Sequence, residues 1–221
     1  MVTKKVTVTL PEELIDRATE LARLAGLPFS TWLARVTEHE VKIQDGLAAL
    51  QEWEDVEGPP SPDAEAWADE QFVCATRVRA ATALPGRELR RPPLPVVYDA
   101  GALLAAERGV DRFRVLHMRF LAAGLIPVVP SPVLTQAWRG GARQANLARA
   151  IAGCHIEPTD EETAKAAGVL LGRSGTADAV DAIVVVTALS RGSVVVTSDP
   201  GDLHKLAEAG DVASQLHLIV I

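Results

Sequence analysis

The chain is 221 residues long, 48% hydrophobic and 23% charged, with a formal net charge of −7. That apolar content excludes wholesale disorder, and the length accommodates one large domain or two small ones. No apolar run approaches membrane-spanning length and the opening "MVTKKVTVTLPEE" lacks a signal core, so a cytoplasmic protein without membrane contact is expected.

Charge divides the chain into unlike parts. Residues 1–72 carry 6 Lys and Arg against 15 Asp and Glu, hence −9; residues 73–91 carry 5 Arg against 1 Glu, hence +4; residues 92–221 carry 11 against 13, hence −2. An acidic segment, a basic connector and a near-neutral segment predict more than one module. Cys74 and Cys154 match no metal or disulfide spacing, as suits a reducing compartment.

In chain order, "KKVTVTL" (4–10) alternates Val6, Val8 and Leu10 with Lys5, Thr7 and Thr9, the period of a half-buried strand. Pro11, Glu12 and Glu13 suit the start of a helix, whose apolar face carries Leu14, Ala18, Leu21 and Ala25 and which Gly26 ends. Ser30 is a plausible N-cap for a second helix with Leu33, Val36, Ile43, Leu47 and Leu50 on one face. "GPPSPD" (58–63) ends the regular structure, a short acidic piece with Trp67 and Phe72 follows, and the arginine- and proline-rich residues 73–95 read as connector.

Beyond Pro95, short β-branched runs ("PVVYD", "IPVVPS", "CHIEP", "SVVVTSD", "LHLIVI") alternate with helical segments near 101–107, 111–123, 132–150, 160–172, 177–190 and 202–209. This pattern predicts an α/β domain with a parallel sheet of about five strands. Asp99 and Asp199 directly follow two of those runs, so they belong on the rim where an open α/β sheet binds ligands. Asp178 and Asp181 share a face in the first turn of a helix that starts near the same rim. Helix capping would account for Asp99 or Asp199 taken singly. Four acids gathered together repel unless protonated or bound to a cation, and all-oxygen donors suit Mg²⁺, with Mn²⁺ as substitute. Such an ion polarises a phosphoryl oxygen and activates water.

"VVYDAGALLAAERG", "TADAVDAIVVVTAL" and "VVVTSDPGDL" resemble the acidic motifs of PIN-domain nucleases of the VapC toxin type. The resemblance covers residues 95–221. It implies a PIN-like αβα fold, Mg²⁺-dependent endoribonuclease activity on an RNA substrate, and metal ligation by Asp99, Asp178, Asp181 and Asp199, with Thr197 and Ser198 alongside. Many members carry a Glu on the helix after the second strand, where this chain has Gln136. Glu107 is the nearest substitute in sequence, and is equally readable as an exposed helix end. Arg139 and Arg143, three and seven residues beyond Gln136, are the preferred phosphate-binding pair.

"KKVTVTLPEELIDRATELARLAG" followed by "STWLARV" resembles a ribbon-helix-helix antitoxin of the VapB kind, which implies a homodimer that pairs its strands and reads operator DNA in the major groove. Lys5, Thr7 and Thr9 would face the DNA, and the amides around Ser30 and Thr31 would hold a phosphate. A dimerisation module without DNA affinity is the alternative for so acidic a segment. Trp67 and Phe72 are expected to anchor on the nuclease, and Arg77 or Arg79 either plugs the acidic cleft or is solvated linker.

The expected layout is a small ribbon-helix-helix domain (1–58), a neutralising tail and connector (59–94) and a PIN-like nuclease (95–221). Methionine occurs only at positions 1 and 118, so the nuclease half has no methionine start of its own; that suits either a fused toxin–antitoxin polypeptide, natural or engineered, or a second reading frame with an unusual start. A DNA-binding regulator with an inactive nuclease half is the alternative reading.

Overall fold

The computed structural model describes residues 4, 6–81, 96–176 and 178–221, the side chains of 77–81 excepted. Two compact units divide between Val41 and Lys42.

The N-terminal unit holds helix α1 (Glu12–Leu24) and the start of α2 (Phe29–Glu57). Gly26 ends α1 with a left-handed φ of 67°, as expected. Two expectations fail here. Residues 6–10 form no strand, and Val6 and Val8 remain 71% and 61% exposed. The physical reason is that an alternating segment needs a neighbour to bond, and no other strand of this unit lies beside it among the described residues. Ser30 lies inside the first turn of α2 rather than capping it.

The second unit starts within α2. Its half from Lys42 onward buries Ile43, Leu50 and Trp53. A Cβ on Gly46 would stand 2.6 Å from the Gly153 Cα and 2.7 Å from Leu121 Cδ1, so only glycine lets the helix approach this closely. Residues 62–81, read in part as connector, form one helix, α3 (Pro62–Ala81). Ala64, Ala68 and Ala75 are buried on it, with Trp67 and Phe72 on the same face.

The sheet comprises β1 (Val96–Tyr98), β2 (Val128–Pro130), β3 (His155–Glu157), β4 (Val194–Thr197) and β5 (His217–Val220), all parallel, in the order β3-β2-β1-β4-β5. Each expected run supplies one strand. Between them lie α4 (Ala100–Glu107), α5 (Asp111–Ala122), α6 (Ser131–Ala137), α7 (Ala145–Ala152), α8 (Glu161–Ser174), α9 (Ala179–Arg191) and α10 (Pro200–Ala209). From β1 the chain moves outward through β2 to β3, then returns to the other side of β1 for β4 and β5. Right-handed crossovers put α4–α7 on one face and α8–α10 on the other. The direction reverses between β1 and β4, and at such a switch point a crevice opens beyond the strands' carboxyl ends.

The expected continuous helix 132–150 is interrupted. Gly140 and Gly141 adopt φ of 76° and 100°, and the buried Gln144 holds the break together. Its Oε1 accepts from the amides of Arg139 (2.7 Å) and Gly140 (2.9 Å), and its Nε2 donates to the Ala137 carbonyl (2.9 Å).

Candidate metal centre

The register Tyr98↔Val196 sets Asp99 beside Thr197 at the ends of the two central strands. Asp99 is the N-cap of α4, and its Oδ1 accepts from the Ala102 amide at 2.7 Å. It is only 5% exposed. Burial pushes its carboxyl above the ordinary range and the charge of Asp199 adds to this, while the Thr197 hydroxyl and the amides of Ala102 and Gly101 oppose the rise. Gly101 makes the packing here possible: a Cβ on it would lie 2.8 Å from the Ser198 amide nitrogen.

Asp178 caps α9, its Oδ1 accepting from Val180 (2.9 Å) and Asp181 (3.1 Å). Asp199 caps α10 by accepting from Gly201 at 3.3 Å, and its own amide donates to Thr197 Oγ1 at 2.9 Å. The capping role that would explain strand-end aspartates singly is therefore real for three of the four. Each cap amide engages Oδ1.

Asp181 caps nothing. It is half-buried in the first turn of α9, and its pKa is pushed up to about 6, first by burial and then by the charges of Asp178, Asp99, Asp202 and Asp199. The charges of four other carboxyls act on it, so it belongs to an acidic stretch of the rim. Asp202, in the first turn of α10, was not anticipated; its position three residues after Asp199 was the available signal. Lys205 pairs with it at 2.8 Å. Among the described residues, no three His, Cys, Asp or Glu side chains form a group arranged to hold a metal ion.

The other site candidates are scattered. Glu107 is the last residue of α4 and Asp99 its N-cap, so a helix of about 12 Å separates them. Glu107 does not join the rim. Gln136 is exposed near the end of α6. Arg139 and Arg143 are exposed in the break after α6 rather than on one helical face, because the two glycines end the helix. Thr7, Thr9, Ser30 and Thr31 are exposed in the N-terminal unit, whereas Lys5 lies outside the described residues. The side chains of Arg77 and Arg79 also lie outside them, though their backbone belongs to α3.

Trp67 and Phe72 pack against the core of the sheet unit. Phe72 meets Phe120 at 6.0 Å between ring centroids, and the Arg112 guanidinium lies 5.3 Å from the centroid of Trp67. Around them Asp69 pairs with Arg119 (2.7 Å), the Gly58 carbonyl accepts from the buried Arg114 (2.9 Å), and the Ser61 amide donates to Asp111 (3.1 Å). Glu57 accepts from Trp53 Nε1 at 3.0 Å and from Asn146; the Asn146 bond is the larger cause of its lowered pKa.

No protein-family model matches the chain, and no curated protein matches it either. No helix among the described residues is long and apolar enough to cross a membrane.

Proposed function

We propose that this chain is a divalent-metal-dependent endoribonuclease of the PIN type fused behind its own VapB-like restraint. One observation carries the reading: Asp99, Asp178, Asp181 and Asp199 come from three separate crossovers to one rim, and burial together with their mutual repulsion raises the pKa of Asp181 to about 6. Such crowding weakens folding, so function is the simplest reason for its retention.

The donors fit Mg²⁺ or Mn²⁺ by chemistry, being all carboxylate; Asp178 and Asp199 use Oδ1 for capping amides and retain a second oxygen, while Asp99 also accepts from the Thr197 hydroxyl. Bound there, the cation would supply the positive charge that phosphodiester hydrolysis requires. Thr197 orients Asp99, and the α4, α9 and α10 caps fix the directions of Asp99, Asp178 and Asp199. Asp181 is the adaptable member, taking up a proton as pH falls through about 6 when no cation relieves it. Residues 42–81, docked through Trp53, Trp67 and Phe72, serve as the restraint, while residues 1–41 serve as the dimerising, operator-binding module.

The test is calorimetric titration of Mn²⁺ into the wild-type chain and into Asp99→Asn, with RNA cleavage assayed in parallel. Wild type should bind the ion and cleave; Asp99→Asn should lose both while keeping its fold. Cleavage that persists in EDTA overturns the reading. A second reading, a DNA-binding regulator with an inactive nuclease half, is favoured by the neutral Gln136 on α6 and by the distance of Glu107 from the rim. Binding of operator-length duplex without any Mn²⁺-dependent cleavage would establish it.

A further inference from the structure

In this acidic chain, residues 112–156 contain no Asp or Glu and six Arg. Four of the six are occupied: Arg114, Arg119 and Arg149 pair with Asp111, Asp69 and Glu52, and Arg112 lies over Trp67. Arg139 and Arg143 have no carboxylate partner among the described residues. In the break between α6 and α7 they follow Trp138 in the chain; Trp138 is 43% exposed and is the one large exposed aromatic among the described residues.

This loop is built. Gln144, 4% exposed, uses both ends of its amide to hold Ala137, Arg139 and Gly140. Arg139 is held against the helix end through the carbonyls of Thr135 (3.2 Å) and Trp138 (2.9 Å). Gly140 and Gly141 have nothing within 4 Å of where a Cβ would stand, so another chain can approach their backbone closely. The 43% of Trp138 that stays in contact with water gains nothing from burial, so that part of the residue has no folding benefit.

We propose that Trp138 is a base-stacking platform for single-stranded RNA, with Arg139 and Arg143 holding the adjoining phosphates. The inference rests on the ribonuclease reading, and it identifies that substrate as unpaired. An indole face stacks on any unpaired base, whereas the bases of a duplex are already stacked on each other. The position suits such a platform, because α6 starts directly after β2, packs against α4 and α9, and is only about 10 Å long. Trp138 therefore sits one short helix from the acidic rim.

The test uses the full chain carrying Asp99→Asn, in EDTA, so that no cleavage intervenes. Fluorescence anisotropy measures binding of fluorescein-labelled oligouridylate and of an RNA duplex of equal length. Trp138→Ala should weaken oligouridylate binding roughly 5- to 150-fold, the usual value of one stacked base. Trp138→Phe should retain most of the affinity, and duplex binding should not change. Gln144→Leu, which keeps the indole but loosens its loop, should weaken binding in the same direction. Unchanged oligouridylate affinity in Trp138→Ala overturns the proposal, as does an effect confined to oligomeric state by sedimentation, which would make Trp138 a contact between protein copies. Mn²⁺-dependent cleavage by the wild type is scored separately. If cleavage occurs without a Trp138 effect, the platform alone fails; if the Trp138 effect occurs without cleavage, the nuclease reading alone fails.

Discussion

Asp181 lies in the field of Asp99, whose charge reaches it only because β1 and the start of α9 end on the same rim. Burial and four neighbouring carboxylates hold the Asp181 pKa at about 6. An acid whose folded pKa is raised contributes stability at low pH and loses it as pH rises through the folded value. The ion-free protein should therefore be stabilised as pH falls from 7 to 5, so far as this group is concerned. Asp181→Asn should raise the melting temperature at pH 7 in EDTA by a few degrees at most, because the half-exposed carboxyl is screened to ~1 kcal/mol or less. The same variant should lose Mn²⁺ binding, a combination that a purely structural aspartate would not give.

His117 titrates with the opposite sign. It is fully buried, its Nδ1 bonded to the Tyr98 hydroxyl at 2.9 Å and its ring stacked on Phe113. Burial lowers its pKa to about 4, only partly offset by the backbone of Ala150. A histidine with a lowered folded pKa contributes stability above its unfolded value, near 6.5, and loses it as pH falls through the folded one. Across that window, from the unfolded value down to the folded one, this group should cost roughly 3 kcal/mol. Urea unfolding over the same range should show the slope in wild type, and His117→Phe should flatten it while starting from a lower stability, since Tyr98 loses its partner.

The contact between Gly46 and Gly153 gives access to the restraint. Gly46→Ala puts a methyl group into the Gly153 backbone, which has no rotamer with which to yield. The strain should cost about 1–3 kcal/mol and loosen residues 42–57 from the sheet unit. If that segment restrains the nuclease, RNA cleavage should rise as stability falls. Reduced stability with no gain in cleavage would show that the segment is only scaffold.

Much of this was legible in the sequence, and for identifiable reasons. The central strands are short runs such as "VVVT", buried on both faces, so the hydrophobic effect writes them directly into composition. Asp99 and Asp199 could be assigned to one rim because each immediately follows such a run. Gly26 announced the end of α1 because few other residues adopt its backbone angles. Those features depend on neighbours in the chain.

What only tertiary structure decided depends on partners distant in the chain. Helix α3 lays Ala64, Ala68 and Ala75 with Trp67 and Phe72 against the core, and only the packing of α5 shows that this acidic stretch is a docked helix and not in part a connector. The alternation at 6–10 is real, but a strand exists only where another strand bonds it. Glu107 and Asp99 share a helix, and the direction of that helix from the rim puts one on it and the other beyond it. The crowding around Asp181, like the alignment of Gly101 with Ser198, arises from the reversal of strand order between β1 and β4. No local pattern encodes that reversal, because it is set by how successive crossovers pack.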